Sequence, residues 1–491
     1  MTCAIGPSRA GATGEILVGY LFRFLCVCAL GAMPLIGCSE PTGEGENGGT
    51  AGDGGTGGMP ECQNPEDCDD RNECTEDVCD PSSGLCDNAP VQDGTLCAGK
   101  TSLGVPRGGC YGGLCNFRPV IVAVGDKEIV FNWSEDRCED LDLPDGPARA
   151  VRAEEGEIVL FANNAPTYRV SRGPDFETLQ HVCDPPALVS ADLQAPESYE
   201  NWEWIWVAYR EGTSIHALVH NEFHDAVAPT CKVGDPSPAN PCWYNSVTYA
   251  VSIDGARSFS KPGAPAHVVA PVPEVWTPPA VPQPHGFHSL IGYHAPSNIV
   301  RGPDDSYYAL LLLTPSQYSP YTFLCLMRTE TLNDPASWRA WDGTGFHLRM
   351  ESPYVTGNPV PECTRLPVTT GTASLTYNTY LDRYMLVNNG GSPIAGYPVC
   401  GFYLWLSSDL IHWGYPQLIA PARMDGCNIP PQTPGVLETV NILYPSIIDH
   451  ADSTINFERP GRTPYLYYTR FNDGGLDRDL VRVPLTFKLE E

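Results

Sequence analysis

The chain has 491 residues, and 29 Lys+Arg against 59 Asp+Glu give a net charge of −30, which excludes a nucleic-acid binder that works by neutralising phosphates. Apolar residues at 42%, aromatics at 10%, 48 Gly and 48 Pro supply a core but interrupt it with turns, a balance that favours an all-β fold over a helical one. Twenty cysteines without a repeated CxxC pairing exclude a reduced cytosolic home and point to an oxidising, extracytoplasmic one.

Arg9 and Arg23 precede an apolar run from Phe24 to Ile36, about the length of a signal-peptide hydrophobic region and too short to span a bilayer. The run ends in Leu35-Ile36-Gly37-Cys38, which resembles the bacterial lipobox, whose cysteine is acylated. Residues 1–37 are expected to be a lipoprotein signal peptide, with Cys38 lipidated and the protein anchored in the bacterial envelope, at the outer membrane or the cell surface. An ordinary cleaved signal, with Cys38 in a disulfide, is the competing reading. No later stretch is long and apolar enough to span a bilayer, so the membrane is expected as a partner through the lipid anchor only. Residues 38–60 form a tether: nine of the 22 positions from Ser39 to Pro60 are Gly, and such a segment cannot bury enough apolar area to fold.

Residues 61–116 carry eight cysteines and few large apolar side chains, so disulfides are expected to replace a core. The even count implies four bridges and leaves their connectivity open. The run from Asp67 to Asp80 resembles cysteine-rich modules of secreted and surface proteins in predatory soil bacteria. Its acids are read as a solvated spacer rather than a calcium loop, because the D-x-D-x-D-G spacing is missing. Fifteen acids and three bases put −12 on residues 39–116, which leaves −19 on residues 117–491.

From residue 117 onward a repeat is visible: apolar strands at near-regular spacing, joined by Gly/Asp turns, occur in five units. Their second strands start near 157, 214, 307, 384 and 464. Antiparallel meanders repeated in this way predict an all-β, five-bladed β-propeller over 117–491, behind the small disulfide-rich module. The spacing exceeds a minimal blade, and the excess is assigned to loops over one mouth, stiffened by pairs such as Cys231 with Cys242. A β-sandwich, or two β domains, is the alternative.

Two segments sharpen this into a resemblance. Ser407-Ser408-Asp409-Leu410-Ile411-His412-Trp413 resembles an outer-strand turn of five-bladed propeller glycosidases of the arabinanase, β-xylosidase and fructosidase type. Ser252-Ile253-Asp254-Gly255-Ala256-Arg257-Ser258-Phe259 is similar to the sialidase Asp-box, with Ala256 where a second glycine is usual. Both are turn elements without chemistry. The resemblance implies hydrolysis of glycosidic bonds by two carboxyl groups, one acid and one base or nucleophile.

In that family the base is an Asp at the start of the first inner strand, and Asp145, between Pro144 and Pro147, matches it; a solvated acidic loop is the bland reading. The acid is assigned to Glu222, which alternation places on one strand face with His220, although the family more often carries its acid in the third blade. Arg149, Arg152, His220, His224, His294 and Asn298 are the expected substrate-binding residues, with Tyr444 at the fifth inner strand. Trp202, Trp204 and Trp243 are read as core more readily than as sugar platforms.

His220 and His224 raise the question of a metal, as do His216, His285, His288 and His294. In a strand the i, i+4 spacing separates two residues by about 13 Å, so no metal is expected. No phosphate-loop or dinucleotide motif is present, and no cofactor is expected. The sequence thus reads as an extracytoplasmic glycoside hydrolase-like protein with a carbohydrate ligand and no nucleic-acid partner. A non-catalytic glycan-binding or adhesion propeller competes with it, as does a six-bladed sialidase-like enzyme.

Overall fold

The computed structural model describes residues 62–489, apart from 70–71, 92–94, 101–105, 112–113, 118–119, 232–241, 279–290, 317–321, 369–370, 372, 391–398, 415, 425–426, 428, 430–432 and 473–474. The signal segment, Cys38, the tether, His285 and His288 lie outside the described residues. The described chain divides into two compact units, one ending at Asn116 and one beginning at Phe117. Both are built from strands, with only single-turn helices between them.

In the smaller unit, Thr75–Asp80 and Leu85–Pro90 form an antiparallel hairpin that sets Cys79 opposite Cys86. Bridges join Cys62 to Cys79, Cys68 to Cys86 and Cys74 to Cys110. The buried cluster here consists of Cys74, Cys97 and Cys110, so sulfur fills the place that aliphatic side chains take in a larger domain. The acids close turns: Asp67 accepts from the backbone of Gln63 and Asn64, and Asp80 from Ser82 and Ser83.

The larger unit carries five successive groups of strands. The first is Arg149–Arg152, Ile158–Phe161, Val170–Gly173 and Gln180–His181; the second is Trp202–Glu211, Ser214–His224, Trp243–Ser252 and Val268–Ala270. The third sets Ile291–His294 and Val300–Arg301 on Tyr307–Thr314, followed by Phe323–Thr329, Arg339–Trp341 and Phe346–Arg349. The fourth is Ala373–Asn378, Arg383–Gly390, Gly401–Ser407 and Gln417–Pro421. The fifth is Ile442–Ile448, Tyr465–Phe471 and Arg478–Leu489, and Val120–Val124 and Glu128–Phe131 pair with its last strand. The segment that opens the unit therefore covers the edge of its final sheet, which removes a row of unpaired backbone groups.

The three strands expected in each repeat form, and fourth strands are added that the sequence reading did not find. Short pairs such as Gln180–His181 carry too little periodicity to be seen. A second difference joins groups two and three into one sheet: Tyr244 pairs in parallel with Ile291, and Asn245 with Gly292. Gly292 has φ +107°, and a Cβ there would lie 2.0 Å from the Asn245 carbonyl oxygen, so only glycine permits this approach.

The first strands of the five groups touch in sequence. Arg210 donates to the carbonyls of Arg152 and Ala153, and Arg301 reaches Glu211. Asn298 accepts from the Leu375 backbone, the Ile447 backbone donates to Ser374 Oγ, and Arg149 donates to Ser446 Oγ. These contacts link group one to two, two to three, three to four, four to five, and five back to one.

Four bridges tie strands and loops of this unit: Cys138–Cys183, Cys231–Cys242, Cys325–Cys363 and Cys400–Cys427. The two turn motifs are built alike. Asp254 accepts from the backbones of Arg257 and Ser258, and Asp409 from those of Ile411 and His412, with Ser252 and Ser407 bonded to the respective carboxylates. The Asp and Ser side chains of both motifs are spent on these local bonds, which fits a turn element.

Candidate functional site

The second group supplies most of the site because its first two strands are long and their facing side is aromatic. Cross-strand pairing sets Trp202 opposite Glu222 and Trp204 opposite His220, while Glu222 pairs on its other side with Asn245 and His224 with Trp243. The register shifts between Ile205 and Val207, so Trp206 is an extra residue in a β-bulge. The bulge turns its indole onto the same side, where it meets the His220 ring edge-on at 4.9 Å between centroids. His224 lies between Trp202 and Trp243, at centroid distances of 5.6 and 5.1 Å.

Glu222 sits inside this frame with its side chain 13% exposed. His224 Nε2 donates to its Oε2 at 2.9 Å, and His220 Nε2 lies 3.7 Å from its Oε1. Burial pushes the carboxyl's pKa up, but the His224 hydrogen bond and the two imidazoles outweigh it and hold the group below its usual range. His220 Nε2 also lies 3.3 Å from Asn245 Oδ1, and burial pulls this imidazole's pKa down. The two histidines thus contact one carboxylate from either side, although the strand spacing keeps their backbones apart.

Asp145 precedes the first strand of the first group. Its Oδ1 accepts from the Tyr444 hydroxyl at 3.0 Å and from the Arg478 guanidinium. Trp206 lies between its segment and His220: the benzo edge of the indole lies 3.5 Å from where a side chain on Gly146 would begin, and its ring meets Tyr444 at 5.9 Å and His220 at 4.9 Å. Tyr444 carries the electrostatic imprint of both carboxylates; burial, Asp145 and Glu222 together raise its pKa well above the usual value, against the pull of Arg478. Asp145, Glu222, Tyr444, Trp206 and His220 therefore share one neighbourhood.

The remaining candidates divide. His294 joins the cluster, 6.1 Å from His220 between ring centroids, and burial lowers its pKa to about 3, so it is neutral at physiological pH. Asn298 spends its Oδ1 on Ser374 Oγ and the Leu375 backbone, a bond between groups three and four rather than a free ligand. Arg149 is 2% exposed and bonds Ser446 Oγ and the Ala373 carbonyl, which turns it inward. Arg152 bonds the Asp452 carbonyl and packs over the Phe457 ring, 4.4 Å from its centroid, as a contact between groups.

Three members of the neighbourhood were outside the sequence reading. Arg478 and Asp145 are far apart in the chain and only topology brings them together, while the bulge at Trp206 leaves the alternation pattern looking regular. Asn245 is one of several polar residues in its strand, Trp243–Ser252, and nothing in the sequence singled it out.

No family model matches the sequence, and no curated protein matches it. Solved structures similar to this one include a protein of unknown function from Dyadobacter fermentans, at 10% identity and TM-score 0.41, covering 75% of this chain and 99% of that one. A protein from Bacteroides thetaiotaomicron provisionally described as a glycosidase aligns at 11% identity and TM-score 0.38, covering 70% and 86%. A xylan β-1,4-xylosidase from Bacillus halodurans aligns at 8% identity and TM-score 0.38, covering 70% of this chain and 53% of that one. Likenesses at this level assign the chain neither a family nor an activity.

Proposed function

We propose that residues 117–491 form a five-bladed β-propeller that cleaves glycosidic bonds with Asp145 and Glu222, on an extracytoplasmic protein lipidated at Cys38. The closed sequence of contacts among the five first strands supports the propeller. Arg478 and Tyr444 hold Asp145 in place for the role of base or nucleophile. Glu222 is the proposed acid, and His224 orients its carboxyl through a 2.9 Å hydrogen bond that also holds its pKa below the usual range, a feature that weighs against the acid role. The single observation that carries the reading is that Tyr444 bonds Asp145 and lies within electrostatic reach of both Asp145 and Glu222. Sugar rings suit the half-buried Trp202 and Trp243, since pyranose faces stack on indoles.

The same aromatic frame also favours a second reading, a glycan-binding propeller without turnover. A panel of aryl glycosides and polysaccharides, assayed with the wild type, Asp145→Asn and Glu222→Gln, separates the two. Hydrolysis that both substitutions suppress supports the enzyme. Hydrolysis left undiminished by Glu222→Gln removes the acid assignment.

A further inference from the structure

Asp142 lies three residues before Asp145, yet its side chain has no exposure and turns to different partners. The Cys138 backbone N–H donates to its Oδ2 at 2.7 Å, and Asn163 Nδ2 to its Oδ1 at 2.6 Å. His181 Nε2 completes the set, 2.9 Å from Oδ2 and 3.2 Å from Oδ1. Burial pushes the carboxyl's pKa up, but the bonds from His181, Asn163 and Cys138 outweigh it and keep the group ionised. A carboxylate only accepts, so the neutral imidazole carries its proton on Nε2 and turns the lone pair of Nδ1 the other way. That nitrogen lies 3.3 Å from Ser171 Oγ.

The fold holds all three side chains. Ser171 and His181 are directly opposed across the paired strands Val170–Gly173 and Gln180–His181, which puts them on one face. The Phe131 ring meets the imidazole edge-on at 5.0 Å, and the Cys138–Cys183 bridge ties the segment of Asp142 to that of His181. The bridge consumes the Cys138 sulfur, so this trio of Cys138, Asp142 and His181 has no thiolate to offer a metal. Ser171 is partly exposed, and beside it opens a small pocket lined by Phe131, Leu160, Leu480 and Arg169. Its free space is about that of one water molecule or one methyl group. Arg169 spends Nε on the Cys183 carbonyl and Nη1 on Glu139, and its charge faces the pocket from which Ser171 is reached.

We propose that Ser171, His181 and Asp142 form a second site, a nucleophilic centre that hydrolyses acetyl esters. Ser171 Oγ passes its proton to His181 Nδ1 and bonds the ester carbonyl carbon, whose oxygen takes up negative charge beside Arg169. The carbon–alkoxy bond then breaks, and the leaving alcohol takes the proton from Nδ1. Water, deprotonated by the same nitrogen, splits the acetyl-serine to acetate and free Ser171. Asp142 touches no substrate and is a positioning residue: it fixes the ring and its tautomer. The apolar pocket has room for the acetyl methyl and leaves the alcohol portion in solvent. None of these residues belongs to the Asp145–Glu222 neighbourhood, and the site does not rest on the glycosidase reading.

The test uses the whole protein with p-nitrophenyl acetate as the probe, each variant first shown to be folded by its unfolding midpoint. Release of p-nitrophenol is followed, and samples quenched in acid during turnover are mapped for acetylated peptides. The wild type is expected to hydrolyse the ester above the buffer rate and to carry acetyl on Ser171. Ser171→Ala, which removes one hydroxyl from a partly exposed position, is expected to fall to the buffer rate, and His181→Gln to lose roughly 10²-fold or more. Asp142→Asn is expected to lower kcat with KM little changed, a split that a merely structural carboxylate would not produce. Asp145→Asn is expected to leave ester hydrolysis unchanged, which separates this site from the glycosidic one. Hydrolysis equal in the wild type and Ser171→Ala overturns the proposal, as does acetyl found only on other residues.

Discussion

At the scale of single residues, the site rests on neighbours that set charge states. His294, lowered to about 3, and His220, also lowered, are neutral in the folded protein, whereas in the unfolded chain each takes up a proton below about 6.5. The unfolded state then binds more protons, so their contribution is complete above pH 6.5 and is lost as pH falls toward the folded values. Glu222 and Asp142, both held low, lose their contribution at more acid pH, once the unfolded carboxyls are protonated and the folded ones are not. Urea midpoints are expected to drop steadily from pH 6.5 to 4, and His294→Asn is expected to flatten that slope. A midpoint constant over this range contradicts the buried neutral imidazoles. Trp206 supports a different prediction. Packed on Gly146, His220 and Tyr444, it is 5% exposed, and Trp206→Ala is expected to cost about 3–5 kcal/mol in chemical denaturation. Trp206→Phe is expected to recover part of this while still impairing hydrolysis, since the outer benzo edge that packs against Gly146 is lost.

At the scale of elements, loops are held by bridges of very different span. Cys138–Cys183 closes a separation of 45 residues and Cys231–Cys242 one of 11. If chain entropy dominates, removing the longer bridge by paired Ser substitutions destabilises by about 1 kcal/mol more than removing the shorter one. Equal losses in denaturation midpoints would point instead to native-state effects. Most strands were legible, because alternation and Gly/Asp turns are local: Ile158–Phe161, Ser214–His224 and Arg383–Gly390 each sit where the pattern placed them. The Cys231–Cys242 pair was legible for the same reason, being close in sequence. The bulge at Trp206 and the parallel pairing of Asn245 with Gly292 were not, since neither changes the periodicity of its own segment. Asp145 and Glu222 could be named as candidates from the sequence, Glu222 with its strand face, while Tyr444 and Arg478 became surroundings of Asp145 only through contacts between sheets.

At the scale of the whole molecule, five groups of strands close on one another and the last is completed by the first strands of the unit. That closure was hidden from the sequence, because Val120–Val124 looks like any short apolar run until its partner, Arg478–Leu489, is known. It carries a consequence: a chain beginning at Asn132 leaves Arg478–Leu489 as an uncovered edge and is expected to unfold with less cooperativity or to aggregate, whereas one beginning at Phe117 is expected to match the full chain in cooperativity and stay free of aggregates by light scattering. Arg478 belongs to that same strand and also holds Asp145, so ring closure and the proposed chemistry are coupled through one residue.

The central claim is that Asp145 and Glu222 act together on a glycosidic bond. Its most direct test is release of reducing sugar by the wild type and by Asp145→Asn and Glu222→Gln, each first shown to be folded by its unfolding midpoint. The account predicts turnover by the wild type and a loss of roughly 10²–10⁴-fold in each variant. No turnover by a wild type that still binds glycan, or turnover that survives both substitutions, contradicts it.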